Sequence, residues 1–218
     1  MNLLAIESST ECCSVALGMD SQVLERQIVQ ARGHARLILP WVRELLDEAG
    51  LDFADLDALV VSRGPGSFTS LRIGLGIVQG VALAHDLPVH AVSSLEALAA
   101  DTDELRQSSR LLALLDARMG EVYAAWYQGP FERRQRVGEE SLLAPDRLEI
   151  PDGETWQVTG PGARAYRDVL IGHLGARIEF IAEESWPRAS ALLALAGSVA
   201  AVPAYELEPA YLRDQVTG

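Results

Sequence analysis

The chain reads as an α/β protein of two lobes, each built on a βββαβα unit. Three observations predict this: β-branched runs of strand length, helical stripes of period 3.6 that follow them, and a second half that returns to the same order of elements without repeating the sequence. With 218 residues, 49% hydrophobic and 22% charged, there is ample material for a buried core.

Residues 3–7, 12–17 and 23–29 read as strands separated by turn residues at 8–10 and 19–21, an antiparallel meander. A helix is expected at 34–49, with Leu37, Ile38, Trp41, Val42, Leu45 and Leu46 as its apolar stripe, Pro40 marking a kink or late start, and Gly50 ending it. Strand 58–62 runs into Gly64-Pro65-Gly66, after which Ser67 and Thr69 are candidate caps of a glycine-bearing helix from about 70 to 84. Strand 89–92 leads into Ser93-Ser94-Leu95-Glu96, whose spacing is that of a capping box. The polar stretch 101–109 reads as a linker. Strands at 110–116, 121–127 and 131–137 follow, then a short helix near 145–148, strand 156–159, helix 163–171, strand 177–181 and an apolar helix at 188–200. This divides the chain into domains 1–104 and 105–218. The tail from about 202, with Pro203 and Pro209, is extended and free to pack back on the first domain. Two such units describe the actin–hexokinase–Hsp70 (ASKHA) architecture, which usually holds a nucleotide between its halves.

A net charge of −13 argues against independent, charge-driven binding of nucleic acid. The one basic cluster, Arg133-Arg134-Gln135-Arg136, reads as a solvated hairpin or, as the outside case, a nucleic-acid contact. All 18 basic residues are arginine, so the glycine loop cannot be a Walker A motif. Cys12 and Cys13 are adjacent, with Cα atoms about 3.8 Å apart, which disfavours a disulfide between them and suits a reducing cytoplasm. Glu7 interrupts the first apolar run and no basic region precedes it, so no signal peptide is expected; residues 189–202 are too short to span a bilayer. The four histidines show no metal-ligand spacing, and no metal is expected.

Gly74, Gly76 and Gly80 share one helix, where each glycine costs about 1 kcal/mol against alanine. Gly76, Gly80 and Ala84 fall four apart and share a face. Such a face serves either close packing inside the domain or docking of another chain, for which Leu37 and Trp41 would supply apolar anchors. Glu7, Ser9 and Thr10 could form a phosphate loop, but no glycine follows to let phosphate approach the backbone. In the second half, Asp116-Ala117-Arg118-Met119-Gly120 reads as a hairpin or a crowded anion clamp. Gly160 and Gly162 make a strand-to-helix turn that is a second candidate for nucleotide.

Residues 63–74 (RGPGSFTSLRIG), 116–123 (DARMGEVY) and 208–213 (EPAYLR) resemble the TsaB (YeaZ) family of the tRNA threonylcarbamoyladenosine (t6A) pathway, with weaker matches at 4–17 and 34–40. Glu7 stands where that family often has aspartate and Ser70 where it usually has glycine. The resemblance implies a non-catalytic paralogue of TsaD, the subunit that transfers the threonylcarbamoyl group to adenosine 37 of tRNAs reading ANN codons. TsaD carries a His-x-x-x-His metal site at the start of the helix where this chain has Ser94 and Leu98; leucine has no donor atom. It further implies a heterodimer with TsaD through the two helices, with Leu37, Trp41, Arg72, Gly76, Gly80 and Ala84 on the interface. A homodimer through the same face when TsaD is absent, a larger complex with the ATPase TsaE, and contact with tRNA only through the complex complete the expectation. No cofactor is expected, residual nucleotide binding being left open. The competing functions are a nucleotide-dependent phosphotransferase or ATPase of the ASKHA class, and a protease acting on its paralogue.

Overall fold

A computed structural model describes residues 1–20, 22–151 and 155–212. Ser21 of the expected turn and Arg213 of the last motif lie outside the described residues. The chain divides into two compact units, Met1–Ala97 with Pro187–Ala210, and Leu98–Trp186 with Tyr211 and Leu212.

The first unit is built on a six-stranded sheet. Strands β1 (Asn2–Glu7), β2 (Cys12–Met19) and β3 (Gln22–Val29) form the antiparallel meander. Helix α1 (His34–Ala49) follows, ended by Gly50 in the left-handed conformation, with Pro40 inside it. Strand β4 (Ala58–Gly64), helix α2 (Phe68–His85) and strand β5 (Val89–Ser93) then add parallel neighbours to β1. Leu4, Ile6, Val15, Leu17, Leu59 and Val61 of the sheet and Ile38, Val42, Leu45, Leu75 and Val78 of the helices form one apolar core. The central strands are apolar on both faces because neighbours cover both.

Helix α3 (Ser94–Ala99) carries the chain out of the first unit. The expected linker contains a further short helix, α4 (Asp103–Gln107), capped by the Thr102 hydroxyl on the Leu105 N–H at 3.3 Å. In the second unit, β6 (Arg110–Arg118) and β7 (Glu121–Gln128) pair as a hairpin. The third strand, β8 (Gln135–Leu143), starts later than its apolar pattern suggests, because Phe131–Arg133 closes into a 3-10 turn. A 3-10 turn at Pro145–Arg147 stands where the first unit has α1. Strand β9 (Trp156–Thr159), helices α5 (Pro161–Ala165) and α6 (Arg167–Leu174), and strand β10 (Ile178–Phe180) complete the unit around Leu112, Leu114, Trp126, Trp156 and Leu170. Trp126 and Trp156 meet edge-to-face with centroids 4.9 Å apart.

Helix α7 (Ala189–Leu195) and strand β11 (Ala201–Val202) return to the first sheet. The contacts thus divide the chain at 97/98 rather than 104/105, and more than the tail returns. The physical reason is local: α7 lacks a capping side chain of its own, and its first N–H groups are met by Ser14 Oγ (2.8 Å, to Ala189) and Glu25 Oε1 (2.9 Å, to Ser190). The apolar stretch stops being α-helical at Leu195, and β11 pairs antiparallel with β5. The sheet orders are β11-β5-β4-β1-β2-β3 and β10-β9-β6-β7-β8. Apart from the added β11, these are one topology used twice. Among the described residues, no helix is long and apolar enough to cross a membrane.

Candidate functional site

Helix α1 buries Ile38, Val42, Leu45 and Leu46 and leaves Leu39 43% exposed. Leu37 and Trp41 are half-buried, and Trp41 packs on the first core. Positions 37, 41, 44 and 48 follow one side of the helix, and Glu44 and Glu48 both pair with Arg26 of β3. That side therefore borders the β3 edge, whereas Leu39 lies off it. On α2, Leu71, Gly74, Leu75, Val78 and Ala82 are buried, while Arg72, Gly76, Gly80, Leu83 and Ala84 are exposed. The Arg72 guanidinium carbon lies 3.6 Å over the Phe68 ring. Gln79 donates to the Leu207 carbonyl at 3.1 Å, which straps the returning tail along α2.

The glycines separate into two kinds. A Cβ at Gly66 would collide with the carbonyl oxygen of Ser9, and one at Gly74 with Ser8 Oγ. Close approach of the Ser9 backbone requires the first, and the Ser8 side chain packed on α2 the second. At Gly76 and Gly80 an added Cβ meets nothing beyond the helix's own turn within 4 Å among the described residues. Among those residues, their absence of side chain serves no packing.

The turn beneath, Glu7–Thr10, is buried except for half-exposed Thr10. Glu7 Oε1 accepts from the Ser9 N–H (2.6 Å) and from Ser62 Oγ (2.9 Å), and its Oε2 has no hydrogen-bond partner. Burial pushes this carboxyl above its ordinary range, against the pull of the hydrogen bonds from Ser9 and Ser62. Ser9 Oγ is also buried without a hydrogen bond, its carbonyl accepts from the Ser67 N–H (2.7 Å), and Thr10 Oγ1 accepts from the Cys12 N–H (3.1 Å). The loop that carries Gly66 lies directly against this turn.

In the second unit, Gly160 has φ +99°, and a Cβ there would lie 2.5 Å from both the Leu114 carbonyl oxygen and Leu98 Cδ2. A Cβ at Gly162 would lie 2.8 Å from the Leu115 carbonyl carbon. These glycines let the β9–α5 turn rest on β6. Ser94 and Leu98 are both fully buried. Arg118 pairs at 2.9 Å with Asp116, two residues before it at the end of β6. Of the basic cluster, Arg133 is exposed and Arg136 pairs with Glu139 and Glu140. Arg134 is turned inward: its guanidinium donates to the carbonyls of Ala99 (2.7 Å), Leu105 (2.8 Å), Arg106 (3.1 Å) and Ser108 (2.6 Å). It is spent on the C-terminal ends of α3 and α4. Sequence reasoning missed this role, and it missed the exposure of Leu39 and Leu83. Leu39 had a signal, its position off the buried stripe of α1.

A duplicated β5-β4-β1-β2-β3 sheet order, with helices crossing between parallel strands, defines the class as a two-lobed, ASKHA-like α/β protein. The family model of TsaD, tRNA N6-adenosine threonylcarbamoyltransferase, matches residues 22–205. The tRNA threonylcarbamoyladenosine biosynthesis protein TsaB of Escherichia coli is 40% identical over 99% of this chain and 96% of its own. That of Haemophilus influenzae is 35% identical over 100% and 95%. A solved Pseudomonas aeruginosa structure, described as similar to peptidase YeaZ, superposes with a TM-score of 0.88 at 39% identity, covering 97% of this chain and 99% of that one. The chain belongs to the TsaB (YeaZ) family, within the wider TsaD family.

Proposed function

We propose that, within the t6A biosynthesis its family serves, this chain is a non-catalytic cytoplasmic subunit that docks on the TsaD-type transferase through α1 and α2. The observation that carries the reading is the contrast between the glycines. Gly66 and Gly74 are explained by packing inside the chain, but Gly76 and Gly80 are open and exposed on α2, next to Ala84 and Leu83. An unfilled groove on a helix lets a partner helix approach closely. Arg72 falls one turn before Gly76 on the same face, Leu39 is exposed on α1, and Leu37 and Trp41 brace α1 from the β3 side. A two-fold pairing of the same face would give the homodimer when the transferase is absent. Recruitment of TsaE and of tRNA would follow from the heterodimer.

Three features support a non-catalytic role. Leu98 is an apolar side chain packed against Gly160, Glu7 and Ser9 are enclosed by the Gly66 loop, and Gly160 and Gly162 lie on β6. The test is t6A formation on unmodified tRNA by the transferase and its pathway partners, with and without this chain, and with Gly80→Leu. The parent should be required, Gly80→Leu should fold by circular dichroism yet fail to co-elute with the transferase, and the chain alone should transfer nothing. Threonylcarbamoyl transfer or steady ATP hydrolysis by the chain alone would overturn the reading.

A further inference from the structure

We propose that Ser8 and His34 are positioning residues for docking, setting α1 and α2 on a common origin without touching the partner; this rests on the docking reading above. Both are buried, at 1% and 3% exposure, so neither can line an interface. Each ties a different docking helix to the same turn. His34, the first residue of α1, donates from Nε2 to the Thr10 carbonyl at 2.9 Å, which fixes the tautomer with its proton on Nε2. Ser8 Oγ donates to the Ser70 carbonyl in the first turn of α2 at 2.9 Å. The Ser67 N–H, at the start of α2, donates to the Ser9 carbonyl at 2.7 Å. The turn itself is held closed by Glu7, whose Oε1 takes the Ser9 N–H and reaches β4 through Ser62. Gly66 and Gly74 lack side chains at the two places where the turn enters against α2. A displacement of this turn therefore moves the starts of two long helices at once, and a face made from both loses its register.

The experiment measures two quantities for Ser8→Ala, His34→Ala and His34→Gln: the urea midpoint, and the affinity for the TsaD-type transferase of the same organism at a temperature where each variant is fully folded. Ser8→Ala and His34→Ala should bind about tenfold more weakly, equivalent to about 1.4 kcal/mol. His34→Gln, which keeps an N–H donor near the Thr10 carbonyl, should recover most of the affinity. Should His34→Ala fail to fold, Ser8→Ala carries the test. Loss of stability with parental affinity in Ser8→Ala would overturn the proposal, leaving the docking face intact. Gly80→Leu is the control that separates the two. If it binds like the parent, the docking face lies elsewhere and both readings fall. If it blocks binding while Ser8→Ala and His34→Ala do not, only the positioning role falls.

Discussion

Replacing both Gly76 and Gly80 by alanine should make the isolated chain more stable and its docking weaker. Each exposed, mid-helix glycine costs about 0.8–1 kcal/mol against alanine, so the pair should gain about 2 kcal/mol. Among the described residues nothing beyond the helix's own turn lies within 4 Å of either new methyl, so no packing cost offsets the gain. For a chain of this size, about 2 kcal/mol raises the melting temperature by about 4–8 °C. If the two units melt separately, the shift belongs to the first. Gly74→Ala on the same helix enjoys the same propensity gain, but its methyl collides with Ser8 Oγ, and overpacking costs about 1–3 kcal/mol. It should come out neutral to destabilised. Urea unfolding followed by circular dichroism ranks the three proteins, and titration with the transferase measures docking. The double variant should bind more weakly because its methyls occupy the groove a partner helix would enter. A double variant less stable than the parent, or a Gly74→Ala that gains about half of the double variant's increase, would refute the division of the glycines into packed and open.

The buried Glu7 carboxyl has a raised pKa in the folded state, so its contribution is fully present below the ordinary value of 4.5 and is lost as pH climbs through the folded value. Glu7→Gln should therefore gain on the parent steadily as pH rises above 4.5, and a stability difference that does not change with pH would contradict the burial argument. Arg134→Met should cost about 3 kcal/mol, because it removes charge-assisted hydrogen bonds to the carbonyls of Ala99, Leu105, Arg106 and Ser108 and leaves those acceptors unmet. Arg134→Lys should recover only part, since one ammonium cannot span the fork. A neutral result in urea unfolding for Arg134→Met would return the residue to the solvated hairpin that its neighbours Arg133 and Arg136 occupy.

What the sequence determined by itself was whatever rests on local chemistry. Strand β4 was legible from Leu59-Val60-Val61, and α1 from its stripe and from Gly50. The repeated order of elements gave the architecture, because hydrophobic period and turn residues are properties of neighbouring positions. The helix face of Gly76, Gly80 and Ala84 followed from spacing alone. Tertiary structure decided everything that depends on what lies across the fold. Spacing cannot tell a glycine facing Ser8 from one facing open space, since both sit in the same helix. Arg134 belongs to a run of arginines in sequence, but α3 and α4 bring carbonyls to it from 26 to 35 positions away. The destination of α7 was equally hidden, because the groups that receive its first turn, Ser14 and Glu25, are 175 and 165 positions earlier in the chain. Pairings at such separations are set by the packing of whole sheets, and no window of neighbouring residues contains them.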